Sequence, residues 1–372
     1  MSSNTLGNNM PRPLVAKIHV SAMAHNLSIA RKKCPTSKLW AVIKADGYGH
    51  GLERSMRGFS QADGLAVIEN KDALQLRELG WTKPILLLEG IYHSSDISIA
   101  AKNYLHIVVH CVEQIEMLEK MSNGFRIDVY LKINSGLNRL GFSPEHAAMA
   151  HRRLKATAIV HSISLMTHFA NSYYLENPLP GISVSEQVSR FNHAVDDLDG
   201  ERSLADSAIL ITKPEITASW ARPGVMLYGA TVFPGVKASS LDLLPAMTLE
   251  SEIICIQRIS AGDGVGYGTR FVADRAMTIG VVACGYANGY PRSAKDGTPI
   301  LVDGIRTGIV GRVSMDKLAL DLTPVANAHV GSKVTLWGRG LPIEEVADAA
   351  DTISCELMCG LSHRVTTIET PV

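Results

Sequence analysis

The chain has 372 residues, 46% of them hydrophobic and 19% charged, with 36 basic and 36 acidic side chains. At ~150 residues per domain this length allows two or three domains, and the composition excludes a disordered chain. The zero net charge excludes a nucleic-acid binder working through a basic surface and gives no pull toward an anionic membrane, though a local pocket for a small anion stays open.

No apolar run reaches the ~18 to 20 residues that a membrane-spanning helix needs. The first ten residues are polar and lack the basic-then-apolar order of a secretion signal, so the chain is expected to stay in the cytoplasm. Residues 1–11 are expected to form a flexible tail. The six cysteines (Cys34, Cys111, Cys255, Cys284, Cys355, Cys359) are scattered and read as reduced thiols, mostly in apolar segments.

In chain order, apolar strands are expected at 38–44, 64–68, 84–89, 106–110, 127–134, 164–170 and 207–212. Helical patterns separate them. At 70–79 Asn70 can cap an apolar stripe. A second pattern covers 111–121. At 143–155 Ser143 is followed by Pro144 at the first helical position, and at 183–197 Ser183 and Glu186 have capping-box spacing. About eight such alternations fit a parallel barrel or a doubly wound sheet. No G-x-G-x-x-G follows the first strand, which counts against a dinucleotide fold. The expected fold is therefore α/β, with an N-terminal (β/α)8 barrel over 12–242. From about 243 the pattern changes to short strands at 248–258, 277–284, 299–303, 306–313, 317–322 and 333–337, with one late helix near 342–349. Residues 243–372 should form a mostly β domain.

Five segments could carry chemistry. Val42-Ile43-Lys44-Ala45-Asp46-Gly47-Tyr48-Gly49-His50-Gly51 ends an apolar strand in a lysine. Active sites of parallel barrels sit at that end of the strands, and desolvation there lowers an amine's pKa, making it able to form a Schiff base. A solvated lysine before a flexible turn fits the same spacing. Leu131-Lys132-Ile133-Asn134-Ser135-Gly136-Leu137-Asn138-Arg139 again puts polar groups past a strand. Arg139 can hold a carboxylate or phenolate, or the segment is a turn capped by Asn and Gly. His168 closes another strand, as a base or as a structural imidazole. In Trp220-Ala221-Arg222-Pro223-Gly224-Val225 the Gly224 and Val225 amides can open a helix toward a phosphate, with Ser207 adding a hydroxyl. In the β-rich region, Gly264-Val265-Gly266-Tyr267-Gly268-Thr269-Arg270 exposes Tyr267 on a tight turn or is a plain hairpin. The segments around Tyr286 and Met315 are equally open. His106 and His110 are four apart in a β-like run with no carboxylate to complete a ligand set, so no metal is expected.

Taken together and in this order, these segments resemble the alanine racemase family from about residue 12 to 368. The combination of Val-Ile-Lys-Ala-Asp-Gly-Tyr-Gly-His-Gly with Gly-Tyr-Gly-Thr-Arg is highly specific. The resemblance implies pyridoxal 5'-phosphate as cofactor and a homodimer in which the β domain of one subunit completes the active site of the other. It implies Lys44 as the attachment point and as one of two catalytic bases, with Tyr267 of the partner subunit as the second. His168, with Arg222 behind it, would be a cationic or hydrogen-bonding support. Arg222 would also face the pyridine nitrogen and keep it unprotonated. Tyr48, Ser207, Gly224, Val225 and Tyr286 would line the cofactor's phosphate side. Arg139 would bond the cofactor's phenolate oxygen and, with the Met315 amide, the substrate carboxylate. Lys132 matches a lysine that is carbamylated in many members.

Three positions depart from the family pattern. Asp206 replaces a usual asparagine, His363 a frequent tyrosine, and Tyr173 a frequent acidic residue. The implied activity is interconversion of L-alanine and D-alanine, supplying D-alanine for peptidoglycan. A racemase of broader range or one for serine, and a non-enzymatic pyridoxal-phosphate-binding protein, are the alternatives.

Overall fold

The computed structural model describes residues 12–121, 124–173 and 181–370. The expected tail at 1–11 lies outside the described residues. The chain divides into two compact units, one formed by residues 20–244 and the other by residues 1–19 with 245–372.

The first strand, β1 (Leu14–Ile18), was expected within the barrel range. It belongs to the second unit instead, because it pairs antiparallel with Met247–Ser251 and parallel with Thr366–Glu369. The barrel unit begins with the helix Val20–Lys33. Eight parallel strands then close on themselves in sequence order: β2 (Lys38–Val42), β3 (Gly64–Val67), β4 (Ile85–Leu87), β5 (Leu105–Val109), β6 (Ile127–Lys132), β7 (Val160–Met166), β8 (Arg202–Asp206) and β9 (Trp220–Arg222). β9 returns to β2 through the pairs Lys38↔Trp220 and Leu39↔Ala221.

Most predicted strands lie within a residue or two of the observed ones. The exceptions are the last two. The strand expected at 164–170 lies at 160–166, and the run 207–212 expected as a strand is the helix Ser207–Thr212. A short apolar run reads the same in either state. What decides it is Asp206, whose side chain accepts the Ile209 amide at 2.9 Å and caps the helix.

Inward-facing side chains fill the barrel's lower part. Trp40, Val42, Ala66, Leu86, Val108, Tyr130, Met166 and Trp220 form one buried cluster. Trp40 stacks on Trp220 at 4.3 Å between ring centres and donates from its indole nitrogen to the Tyr130 hydroxyl at 3.1 Å. Strand side chains alternate between faces. Two residues beyond Val42, Val108, Tyr130, Met166, Leu204 and Trp220 stand Lys44, His110, Lys132, His168, Asp206 and Arg222. Chemistry-bearing side chains therefore crown an apolar plug at the C-terminal mouth.

In the second unit, β10 (Met247–Ile259) pairs with β1, with β13 (Met277–Val282) and with β17 (Lys333–Trp337), shifting register between Ile253 and Cys255. Between β10 and β13 lies a hairpin of β11 (Gly264–Val265) and β12 (Phe271–Val272). β14 (Pro299–Val302), β15 (Ile305–Val310), β16 (Leu318–Asp321) and β18 (Thr366–Glu369) complete the eight-stranded sheet. The expected late helix spans Ile343–Ala349, and a second, unpredicted one spans Ser354–Cys359.

Candidate active site

Lys44 follows β2 and opens an unusual turn. Ala45, Asp46, Gly47 and Tyr48 are all left-handed, with φ of 53°, 52°, 61° and 52°. Such geometry costs roughly 1–2 kcal/mol for each residue with a side chain. It is held by Gly47 N–H to Ile43 O at 3.0 Å, Gly51 N–H to Asp46 O at 2.8 Å and Leu52 N–H to the Asp46 carboxylate at 2.7 Å. At Gly47 a Cβ would lie 2.0 Å from Ser55 Oγ, so only glycine fits. The turn carries Tyr48 back over the mouth, stacked on Tyr228 with ring centres 4.7 Å apart. The Tyr228 hydroxyl in turn donates to Val42 O at 3.2 Å.

Tyr48 meets the start of the last loop. A Cβ on Gly224 would lie 2.6 Å from the Tyr48 hydroxyl. The Gly224 amide, expected to face a phosphate, donates to Ser207 Oγ at 2.8 Å, and Met226 N–H approaches the same oxygen at 3.4 Å. The hydroxyls of Tyr48 and Ser207 and the bare Cα of Gly224 thus converge at the helical turn Val225–Tyr228.

Arg222 is 6% exposed. Nη1 donates to the Ser203 carbonyl and to Ser203 Oγ, both at 2.7 Å, and Nη2 donates to Thr167 O at 2.6 Å and Leu204 O at 3.3 Å. Burial lowers its pKa to about 10, so it remains a cation at neutral pH.

His168 lies beyond β7 with Nδ1 3.7 Å from the Asp206 carboxylate. Burial first, then the charges of Arg222, Lys132, Arg139 and Lys44, push its pKa down to about 3. Of its two expected forms, cationic or hydrogen-bonding, the neutral hydrogen-bonding imidazole is therefore the one favoured near neutral pH. Asp206, the departure from the family's asparagine, is pushed upward by burial and is fixed by Ile209 N–H and by the Ser172 hydroxyl at 3.1 Å.

Lys132 is 7% exposed at the end of β6. Burial, Arg222 and Arg139 lower its pKa to about 8, with Glu89 opposing and Lys44 adding to the fall. Arg139 is exposed, beyond a loop in which the Asn134 carboxamide accepts Gly136 N–H at 3.2 Å and Asn138 N–H at 2.9 Å. The capped turn read as the alternative is thus real, and it delivers a cation whose charge both Lys132 and His168 feel.

Beside Lys132 stands a group that the sequence reading considered only as a metal ligand. His110 N–H donates to the Gln114 side chain at 2.8 Å, and Gln114 donates to the carbonyls of Glu89 at 2.9 Å and Ile91 at 3.0 Å. Period-two alternation with Val108 was the available signal. Among the described residues no group of three or more His, Cys, Asp or Glu is arranged to hold a metal ion.

In the second unit Tyr267 is 73% exposed on the turn between β11 and β12. Arg270 braces that turn against Ala294 O at 3.0 Å and Gly311 O at 2.8 Å. Tyr286 and Met315 are neighbours through Tyr286 N–H to Ser314 O at 3.0 Å and Ala287 N–H to Met315 O at 2.9 Å, and both side chains are exposed. His363 is exposed between Ser362, which donates to Ala287 O at 2.8 Å, and Arg364, paired with Asp316 at 2.8 Å. Tyr173, in the barrel unit, is 37% exposed.

A closed parallel barrel with lysine, histidine and arginine gathered over its C-terminal mouth defines a barrel enzyme. Residues 18–232 match the model of the alanine racemase N-terminal domain and residues 246–369 that of the C-terminal domain. The chain is 56% identical to the alanine racemase of Janthinobacterium sp. (strain Marseille), over 97% of this chain and 99% of the other. It is 48% identical to that of Paraburkholderia phytofirmans over 96% and 99%. The crystal structure of the biosynthetic alanine racemase from Pseudomonas aeruginosa superposes with a TM-score of 0.93 at 40% identity, covering 97% of this chain and all of that one (100%). The chain belongs to the alanine racemase family and is an isomerase.

Proposed function

We propose that this enzyme interconverts L-alanine and D-alanine with pyridoxal phosphate as cofactor. The observation that carries the reading is the crown of the barrel, where the lysine ending β2 shares one mouth with a buried arginine, an uncharged histidine and a two-hydroxyl cradle. The residues fit the cofactor. Lys44 offers an amine for attachment. The bare Cα of Gly224 suits the close approach of a phosphate, with the hydroxyls of Tyr48 and Ser207 and the Val225 amide as donors and Tyr286 of the partner subunit on its entry side. The buried guanidinium of Arg222 suits an aromatic nitrogen, and as a permanent donor it would keep that nitrogen unprotonated. Arg139 suits the phenolate. Once bound, pyridoxal phosphate supplies electron withdrawal from the amino acid's Cα.

Racemisation removes a proton from one face of Cα and returns one to the other. Two bases serve this better than one, and Lys44 Nζ and Tyr267 Oη are the pair. Lys44 would act on the D-substrate. Tyr267, exposed on its own subunit, would act on the L-substrate in the barrel of a partner, making the enzyme a homodimer with shared sites. His168 and Arg222 would support the tyrosine, with His168 as a neutral hydrogen-bonding group. Arg139, with the amide of Met315 of the partner subunit, would hold the substrate carboxylate. The buried, low-pKa amine of Lys132 among Arg222, Arg139 and Lys44 is suited to carbamylation, which would place an anion among those cations. D-Alanine made in this way would serve peptidoglycan synthesis in the cytoplasm. No helix among the described residues is long and apolar enough to cross a membrane.

The test is borohydride reduction of the enzyme followed by peptide mapping. The reading expects the cofactor fixed to the peptide containing Lys44, and label on any other lysine would refute it.

A further inference from the structure

His110 has no part in the chemistry above, yet it stands in the crown. The β5–β6 register pairs Val108 with Tyr130 and Val109 with Leu131. The next residues on each strand, His110 and Lys132, therefore lie side by side on adjacent parallel strands, whose backbones run ~4.8 Å apart. Both repeat the inward phase of Val108 and Tyr130. His110 is also fixed. Its amide donates to Gln114, and its Nε2 faces the donor nitrogen of Gln114 at 3.3 Å, a contact that the neutral ring accepts and the imidazolium gives up. Gln114 is itself 3% exposed and tied to the loop carrying Glu89.

We propose that His110 is the proton partner of Lys132, holding as imidazolium the proton released when the Lys132 amine adds carbon dioxide. The inference rests on the reading that Lys132 is carbamylated. In the step, Nζ donates its electron pair to the carbon of CO2, an N–C bond forms, one C=O π bond opens to a carboxylate, and one proton leaves Nζ. No oxidant or reductant is required.

The surrounding charges give the reason for the coupling. Burial and then the Lys132 charge push the His110 pKa down, while hydrogen bonding to the Glu89 backbone and the Glu89 charge push it up. Carbamylation replaces the largest opposing charge by an anion on the same side chain, so the imidazole gains a counterion where it had a repelling neighbour. Two further titratable groups, Cys111 and Glu113, follow His110 in the chain. Cys111 has its thiol pushed up by burial, and Glu113 lies on the exposed start of the next helix. By linkage, the gain from imidazolium is largest at low pH and vanishes well above the shifted histidine pKa.

The experiment uses full-length enzyme equilibrated with 13C-bicarbonate, with the carbamate carbon followed by NMR from about pH 6 to about pH 9. Wild type is compared with His110→Phe, and Lys132→Arg marks the background. The carbamate signal of His110→Phe is expected to be roughly tenfold weaker at the acid end and equal at the alkaline end. In unsubstituted protein, the His110 imidazole should titrate at higher pH with bicarbonate present than without it, and this readout does not depend on any variant folding. Equal carbamate in both proteins across the range, or an imidazole titration indifferent to bicarbonate, would overturn the proposal. A wild-type spectrum with no signal above Lys132→Arg would overturn the carbamylation reading itself, and the two failures are distinguishable.

Discussion

Arg222 Nη2 donates to the Thr167 carbonyl at 2.6 Å, which locks the guanidinium of the last barrel strand against the residue preceding His168. With its bonds to Ser203 and Leu204, the arginine staples the ends of β7, β8 and β9 together before it serves any ligand. Arg222→Ala would take its donors away from the carbonyls of Thr167, Ser203 and Leu204, of which Ser203 O keeps Thr167 N–H at 3.3 Å, at ~1–3 kcal/mol for each left unpartnered before relaxation. Urea denaturation should show a loss of about 3 kcal/mol or more. A change within ~0.5 kcal/mol, the range of an ordinary surface substitution, would mean the arginine is held for function alone.

The second prediction concerns Gly224. Its φ of −125° lies outside the left-handed region, so the space around the added methyl decides what Gly224→Ala does. The added methyl would meet the Tyr48 hydroxyl at the far end of its side chain. Stability should change by less than ~1 kcal/mol, while affinity for pyridoxal phosphate falls by at least about tenfold. Titrating cofactor back into stripped enzyme measures this. Unchanged affinity would remove Gly224 from the cradle.

His168 supplies a signed pH dependence. Its folded pKa, near 3, lies below the ordinary histidine value of 6.5, so between the two the unfolded chain binds the extra proton. Stability is fully present above about pH 6.5 and declines as the pH falls toward 3. His19, buried between Thr248 and Thr370 with a pKa of about 4, acts in the same direction. Asp206, pushed upward, acts in the opposite one. The comparison is therefore with His168→Asn, whose urea midpoint should fall less steeply over this range than that of wild type. Parallel slopes would mean His168 takes up its proton without resistance.

Much of this site was legible because strands alternate. Lys44, Lys132 and Arg222 each end an apolar strand whose inward phase can be counted from Val42, Tyr130 and Trp220. His110 obeys the same count, but its spacing from His106 drew attention to metal ligation rather than to phase. The left-handed turn after Lys44 was not legible, since Ala45 and Tyr48 have no preference for it and a run of four such residues is held by its own hydrogen bonds and by packing against Ser55 and Tyr228. Ser207–Thr212 was misread because an apolar run of six residues has no period of its own, although the Asp206 cap, three residues from its partner, is a local signal for a helix start. β1 escaped because its partners are more than two hundred residues away in sequence.

The two-base reading predicts an asymmetry. Tyr267→Phe should slow exchange of the Cα proton with deuterium far more for L-alanine than for D-alanine, by at least about tenfold in the ratio. Single-turnover exchange of each enantiomer measures it, and equal losses would argue for one base. Mixing Lys44→Ala with Tyr267→Phe subunits should restore part of the activity, because each mixed dimer holds one intact site. No recovery despite verified subunit exchange would contradict sites shared between subunits.

The most direct test of the central claim follows the optical activity of pure L-alanine in the presence of the enzyme. Enantiomers have equal free energy, so a racemase must carry the signal to zero and stop there. The same curve should be reached in mirror image from D-alanine. Lys44→Ala should slow both by several orders of magnitude, as expected when attachment point and base are lost together. Optical activity that persists with wild-type enzyme supplied with pyridoxal phosphate would contradict the account.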